Sequence, residues 1–240
     1  MNRMFSVWRK ELRSLFNSPV AYGAILFFLI FTAVWFLWMD QFLAQKVASL
    51  RNYFALFPLA FIVLVPAVTM RSWADERKMG SQELLLTLPV RTGHVVLAKF
   101  LAAWTLILTM ILLTIPMTVM VTGLGQFEMG EILGEYIGSI LLSGAATALG
   151  IFLSGLATNT ISAFLMSLGS LLILTLSVTL GAALSLPDAV GNILRFFSLD
   201  ARYANFQRGL IDTKDALYYV WFAVLFLYLN TKVLILRKWR

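Results

Sequence analysis

Residues 168–183 read Leu-Gly-Ser-Leu-Leu-Ile-Leu-Thr-Leu-Ser-Val-Thr-Leu-Gly-Ala-Ala, a run without a single charged side chain. Apolar and polar residues do not alternate along it, so the run does not fit a strand of an outer-membrane barrel, which alternates between a lipid face and a polar lumen. The whole chain of 240 residues is similarly apolar, with 60% hydrophobic and 13% charged side chains. Soluble domains carry roughly 45–50% apolar and 25% charged residues. The sequence therefore predicts a helical membrane protein.

Six uninterrupted apolar stretches predict the membrane-spanning helices. Most of them reach the ~20 residues that cross the hydrocarbon core of a bilayer. They cover residues 20–39, 53–70, 95–122, 136–157, 160–184 and 217–231. We therefore expect an all-α integral membrane protein in which residues 1–240 form one membrane domain with six transmembrane helices.

Residues 1–18 place apolar side chains at helical spacing and basic side chains on the remaining arc. The apolar set is Met4, Phe5, Trp8, Leu12, Leu15 and Phe16, and the basic set is Arg9, Lys10 and Arg13. This pattern is typical of a helix that lies in the membrane interface. We expect an interfacial amphipathic helix, followed by a first span that begins at Pro19, where the missing N–H costs nothing.

The basic residues are distributed unevenly along the chain. Most of the 19 Lys and Arg residues fall before the first span, between spans two and three, or after the last span. Basic residues in short loops stay on the cytoplasmic side. We therefore expect a multi-pass protein of the cell inner membrane with both termini cytoplasmic, residues 71–94 cytoplasmic and residues 185–216 extracytoplasmic. Cytoplasmic loops that face anionic membrane lipid explain the net charge of +7, and no nucleic-acid partner is expected.

Several kinds of chemistry lack their residues in this sequence. The chain has no Cys and a single His, His94, which excludes thiolate and histidine-rich metal sites. The membrane-embedded portions of the spans are expected to hold no ionisable side chain, which disfavours a proton-coupled carrier. No G-x-x-x-x-G-K-[ST] phosphate loop occurs, so any energy from ATP must come through another subunit. An ATPase-driven permease, a channel subunit and a passive scaffold are all compatible with these absences.

A short cytoplasmic helix is predicted between spans two and three. Gly80 allows a turn, and Ser81 is a candidate N-cap. Glu83 lies in the first turn, where it favours the helix dipole, and Pro89 ends the helix. One face of this helix carries Leu84, Leu85 and Leu88. Such an apolar stripe is equally consistent with a helix that docks on a partner protein and with one that packs on headgroups or on its own bundle.

The same segment resembles the E-x-x-x-G-[ST]-x-E-x-L-x-x-x-P stretch found in permeases of ABC-2 type transporters. The matching positions are Glu76, Gly80, Ser81, Glu83, Leu85 and Pro89. In that family the stretch forms a coupling helix that sits in a groove of a cytoplasmic ATPase. The resemblance implies the same role here, with Leu84, Leu85 and Leu88 at the contact. It also implies that ATP and Mg bind to the partner ATPase, and that this chain carries no cofactor and no catalytic residue.

A second similarity to this family lies ahead of the last span, in an F-x-x-G-x-[IL]-D-x-x-D-x-x-Y stretch. The matching positions are Phe206, Gly209, Ile211, Asp212, Asp215 and Tyr218. The candidate contacts to an extracytoplasmic partner are Arg202, Phe206, Arg208, Gly209, Asp212 and Asp215. The other interpretation of Gly209, Asp212 and Asp215 is a turn with caps before the last helix.

Within the family, the chain is most similar to the gliding-motility-type permeases, through residues 66–72 and the arginine-bearing outer segment. That subgroup implies an auxiliary membrane subunit with a large extracytoplasmic domain. We therefore expect a permease half that pairs with a second copy and two cytoplasmic ATPases, and that exports a substrate or transmits force. The alternative is a non-transporting scaffold or a channel subunit.

Small residues recur at intervals of four in the fourth span. They are Gly134 and Gly138, followed by Ala146, Gly150 and Ser154. Small side chains predict the close approach of another helix. Packing inside one subunit and an interface between two subunits are both consistent with this pattern.

Overall fold

The computed structural model describes residues 2–39, 49–80, 92–183 and 188–238, and all regular secondary structure in these ranges is helical. The helices are α1 (Asn2–Phe16), α2 (Pro19–Val34), α3 (Arg51–Thr69), α4 (Arg71–Lys78), α5 (Thr92–Leu112), α6 (Ile115–Thr122), α7 (Met129–Leu156), α8 (Thr160–Ala183), α9 (Asp188–Phe197), α10 (Leu199–Phe206) and α11 (Thr213–Lys238). A π-helical turn, Trp35–Met39, continues α2.

Six of these helical stretches are long and apolar enough to cross a membrane, as predicted. They are Pro19–Met39, Arg51–Lys78, Thr92–Thr122, Met129–Leu156, Thr160–Gly181 and Thr213–Leu236. Three of them contain an ionisable side chain that is almost fully buried: Lys99 at 3%, Glu135 at 0% and Asp215 at 5% exposure. The helices alone do not define which of their residues lie in the bilayer, so the expectation of membrane-embedded portions without ionisable residues stays a prediction. A membrane helix can carry such residues where they pack against other helices and not against lipid.

Helix α7 lies at the centre of the bundle and packs against α3, α5, α8 and α11. Its glycines allow α10 and α3 to approach closely. A Cβ atom added at Gly138 would lie 2.6 Å from the Cβ atom of Phe206, and one added at Gly134 would lie 2.8 Å from the backbone oxygen of Phe206. A Cβ atom at Gly150 would collide with Thr69. These small residues therefore serve packing within the subunit, which is one of the two predicted alternatives.

The N-terminal helix predicted over residues 1–18 is present as α1, which packs along α5 and touches the start of α2. Val7, Leu15 and Phe16 pack against the buried core of the bundle. Ser18 then caps α2, because its side-chain oxygen accepts a hydrogen bond from the Val20 backbone nitrogen at 3.3 Å. The chain thus turns from α1 into the first span at Pro19. The placement of α1 in a membrane surface stays a prediction.

The segment predicted to be extracytoplasmic, residues 185–216, contains the two short helices α9 and α10 among its described residues. Helix α9 packs on α8, and α10 packs on α7 and α8. Leu199, Tyr203 and Phe206 of α10 are buried. Helix α10 is therefore packed closely on one end of the bundle.

Candidate functional site at the base of the predicted coupling segment

Helix α4 continues directly from the second span and leads into the predicted coupling helix. Of the predicted coupling residues, Glu76 lies in α4 and Gly80 lies in the turn that follows it. The remaining ones, Ser81, Glu83, Leu84, Leu85, Leu88 and Pro89, lie outside the described residues. Gly80 has a φ of 68°, in the left-handed region that favours glycine, and its nitrogen donates to the Arg77 carbonyl oxygen at 3.1 Å. The predicted turn at Gly80 is thus confirmed.

A buried ionic cluster connects Glu76 to two other helices. The Lys99 Nζ atom of α5 lies 2.7 Å from Glu76 Oε1 and 3.1 Å from Glu11 Oε1 of α1. The Lys99 side chain is 2% exposed, and the two glutamate side chains are 13% and 17% exposed. The same ammonium lies 4.9 Å from the centre of the Trp73 ring. A buried charge is tolerated only when it is paired, so this cluster holds α1, α4 and α5 together.

Two further side chains of α4 bind the hairpin formed by α7 and α8. Arg77 Nη2 donates to the Gly155 carbonyl oxygen at 2.7 Å, and Nη1 donates to the Ala157 carbonyl oxygen. These carbonyls lie at the C-terminal end of α7, where helix carbonyls lack intrahelical partners and the helix dipole favours a cation. The Thr160 hydroxyl donates to Asp75 Oδ1 at 2.8 Å, at the first residue of α8. Helix α4 is therefore hydrogen-bonded to both sides of the loop between α7 and α8.

The backbone of α4 is also fixed to α7. The Ser154 hydroxyl donates to the Met70 carbonyl oxygen at 3.0 Å and accepts from the Trp73 backbone nitrogen at 3.2 Å. Trp73 is fully buried, and a Cβ atom added at Gly155 would contact its ring at 3.7 Å. Helix α4 is thus bonded to α1, α5, α7 and α8. The link to α1 runs through Lys99, which Glu76 and Glu11 share.

Sequence interpretation missed Glu11 and Lys99 in this site, although each carries a local signal. Glu11 is the single acidic residue among residues 1–18, in a helix whose other charged side chains are basic. Lys99 is the single charged residue in the apolar stretch 95–122. A single acidic residue in a basic helix, or a single charged residue in an apolar stretch, indicates that the side chain pairs with a specific residue elsewhere. Their pairing with Glu76 depends on how the helices pack.

The predicted contact residues of the outer segment divide into buried and exposed ones. Asp215 is 5% exposed and receives a hydrogen bond from Asn205 Nδ2 at 2.7 Å, besides an ion pair with Arg202 Nη1 at 2.9 Å. The Arg202 guanidinium also stacks 4.1 Å from the centre of the Tyr218 ring. Phe206 is fully buried against α7. Neither side chain reaches the surface of the subunit, and the expectation that Phe206 and Asp215 contact another protein stays a prediction.

The turn before the last helix matches the capping interpretation at Gly209 and Asp212. Gly209 has a φ of 70°, and a Cβ atom there would lie 3.3 Å from the Glu131 Cα atom. Asp212 Oδ1 accepts a hydrogen bond from the Lys214 backbone nitrogen at 2.9 Å, at the start of α11. Arg208 and Asp212 are exposed, so among the predicted contact residues these two present charges to the surroundings.

Below this turn lie several polar groups, of which Tyr203 and Glu135 are buried and Arg51 is half-exposed. Arg51 pairs with Glu131 at 2.7 Å, and the Tyr203 hydroxyl donates to the Phe54 carbonyl oxygen at 3.2 Å. Burial raises the pKa of the Tyr203 phenol well above its ordinary value of 10.0, so it remains a neutral donor. Neither carboxylate oxygen of Glu135 has a hydrogen-bond partner among the described residues. Sequence interpretation missed Glu135 because it directly precedes the apolar stretch 136–157.

Comparison with known proteins gives one match that covers nearly the whole chain. A family model described as "ABC-2 family transporter protein" matches residues 5–236. No curated protein matches the chain. The matched range includes α1 from residue 5 onward, the ionic cluster, the predicted coupling segment and the turn before the last helix.

Proposed function

The chain belongs to the ABC-2 transporter family, and we propose that it is the permease subunit of an ATP-driven transporter in which it pairs with a second copy and two cytoplasmic ATPases. Proteins of this family are transporter membrane subunits, normally non-catalytic, and membership implies a cytoplasmic ABC ATPase and membrane lipid as partners. ATP and Mg then bind to the ATPase and not to this chain. Both termini and the segment 71–94 face the cytoplasm, in a cell inner membrane.

The observation that carries this proposal is the bonding of α4. If residues 81–89 dock in an ATPase groove, any movement of that groove is applied to Gly80 and then to α4. Arg77 and Asp75 transfer it to the α7–α8 hairpin, and Glu76 transfers it to Lys99 and Glu11. A scaffold would not need such bonds between one short helix and four others. Force applied at a single point can therefore reach the C-terminal end of α7, the start of α8, and helices α1 and α5.

At the outer end of the bundle, we propose contact with an auxiliary membrane subunit, as in the gliding-motility-type permeases. Arg208 and Asp212 support this role because their side chains are exposed next to the packed outer helices. Arg202 and Gly209 support it indirectly, by holding α10 and the turn in place. Movement at α4 would then serve the export of a substrate or the transmission of force to that subunit.

Substitution of Leu85 tests the proposal. Burial of one leucine at a protein contact is worth about 1.5–3 kcal/mol. Leu85→Asp removes this term and adds an unpaired charge, so it should release the ATPase in a pull-down of the co-expressed subunits or abolish stimulation of its ATP hydrolysis. Thr92→Asp, at the start of α5, is the matched control and should keep both properties. Wild-type binding and wild-type hydrolysis in the Leu85→Asp variant would favour the scaffold or channel alternative.

Labelling of single cysteines tests the orientation separately. The chain has no native Cys, so cysteines introduced at Ser81 and Thr213 report only on their own positions. They should react with membrane-impermeant reagents from opposite sides of the membrane. Labelling of both from the outside would contradict the proposed topology.

A further inference from the structure

A cavity of about 330 Å³ lies beside the ionic cluster, between α1, the start of α2, the α3–α4 junction and α5. One part of its lining is polar and includes Lys10, Ser14 and Arg71. Another part is apolar and includes Val68 and Leu106. A single molecule bound in the cavity would therefore contact both charged side chains and an apolar surface.

Some charged side chains that line this cavity are paired with other side chains, and others are not. The carboxylates of Glu11 and Glu76 share the Lys99 ammonium, and Asp75 receives the Thr160 hydroxyl. Lys10 is exposed and forms no ion pair with any described residue.

Arg71 is the second cation that remains accessible. Its nearest carboxylate contact is a 3.9 Å approach to Asp75, and 49% of its side chain is exposed. Such a contact is too long for a hydrogen bond. Lys10 and Arg71 therefore leave positive charge available to an anion at the mouth of the cavity.

The position of the cavity next to the first span indicates that the anion belongs to a membrane lipid. Ser18, which lines the cavity, immediately precedes the first residue of the first span, and Lys10 lies on the amphipathic helix α1. Beside the cavity, α2 exposes Tyr22, Leu26 and Ile30. Apolar side chains exposed on a span face acyl chains, so a phosphate held by Lys10 would be continuous with lipid along α2.

We propose that this cavity binds the phosphate group of a membrane phospholipid, with Lys10 and Arg71 contacting the phosphate. The proposal rests on the membrane placement given under the proposed function. Basic pockets between membrane helices are known to bind lipid headgroups, and phosphate attracts paired cationic side chains strongly. A bound lipid would contact both α1 and α4, next to Lys99, and would therefore stabilise the arrangement from which the coupling segment departs.

A lipid titration of the purified full chain tests this assignment. The protein in detergent is titrated with a short-chain phosphatidylglycerol and, in a parallel arm, with inorganic phosphate, and bound molecules are counted by native mass spectrometry. The wild type should bind the lipid and should not retain inorganic phosphate at the same concentration. A double substitution, Lys10→Gln with Arg71→Gln, should weaken lipid binding about tenfold or more.

The matched control removes the same charge from outside the cavity. Arg9→Gln with Arg13→Gln changes two exposed residues of α1 that do not line it, and this variant should bind the lipid as the wild type does. Ser14→Trp fills the cavity from an exposed position and should abolish binding while the thermal unfolding transition stays unchanged. Each binding measurement is made on variants that elute as a monodisperse peak.

Three results would overturn the assignment. An equal loss in the two double variants would mean general attraction between basic residues and lipid. Tight binding of inorganic phosphate would mean a site for a free anion. Unchanged binding in Ser14→Trp would place the lipid elsewhere on the chain. Since no ATPase is present in the titration, its outcome is independent of the Leu85→Asp test.

Discussion

Removal of the Lys99 ammonium should destabilise the protein strongly. Lys99→Met keeps the length and much of the volume of the side chain but leaves the Glu11 and Glu76 carboxylates facing each other without the cation that both contact at 3.1 and 2.7 Å. Breaking a buried ion pair by removal of one partner costs about 3–5 kcal/mol. The two carboxylates keep 17% and 13% exposure, which permits some hydration, so the lower end of that range applies.

Thermal unfolding in detergent measures this cost. For a domain of 150–250 residues, a loss of 1 kcal/mol lowers the melting temperature by about 2–4 °C, so about 3 kcal/mol corresponds to roughly 6–12 °C. Lys78→Met is the matched control, because Lys78 is an exposed residue of α4, and it should melt with the wild type. The triple variant Glu11→Gln, Glu76→Gln, Lys99→Met carries no charge in the cluster and should recover most of the lost stability.

Two outcomes would refute this reasoning. If Lys99→Met melts at the wild-type temperature, the three charges do not form a buried cluster. If the triple variant is as unstable as Lys99→Met, the loss comes from packing against Trp73 and not from unpaired carboxylates. Because the cluster holds α4, the Lys99→Met variant should also show weaker stimulation of the ATPase than Lys78→Met.

Further predictions concern the packing around α10, at the end of the bundle opposite α4. Gly138→Ala should destabilise the protein by about 1–3 kcal/mol, since the added Cβ atom would overlap Phe206. The control is Gly169→Ala, where an added Cβ atom meets no atom within 4 Å; it should be neutral or stabilise helix α8 by up to about 1 kcal/mol. Equal melting temperatures of the two variants would contradict the packing described. Asp215→Ala removes the partner of the Arg202 guanidinium and should lower the free energy of unfolding by about 1–3 kcal/mol. It should also make α10 accessible to limited proteolysis. An unchanged digestion pattern would show that the ion pair does not hold α10 in place.

Several features of the fold were predictable because they depend on residues close together in sequence. The six spans follow from the length of the apolar runs, and the turn at Gly80 follows from a glycine placed after a short polar helix. The cap at Asp212 follows from the residue types before the last helix. In each case the relevant hydrogen bonds or solvent contacts are local, so the sequence pattern reports on them directly.

The sequence did not predict which side chains are buried in the segment before the last helix. The pattern around Phe206 and Asp215 marks a specific structure, but it does not tell whether these side chains turn toward the bundle or away from it. The structure buries both of them, because Gly138 leaves room for the Phe206 ring and Arg202 pairs with the Asp215 carboxylate. Arg208 and Asp212, only a few residues away, remain exposed. Whether one of these side chains points into the bundle or away from it depends on the helices that pack around it.

The sequence by itself determined that this is an all-helical membrane protein with six candidate spans, an amphipathic first helix and a family motif that includes Glu76 and Gly80. Only the tertiary structure decided that Glu76 shares Lys99 with Glu11, that Arg77 binds the end of α7, and that a cavity lies beside them. The physical reason is that helix formation and membrane insertion depend on the properties of contiguous residues. Ion pairs between separate helices depend on the distances and angles at which those helices pack, and no local pattern encodes these.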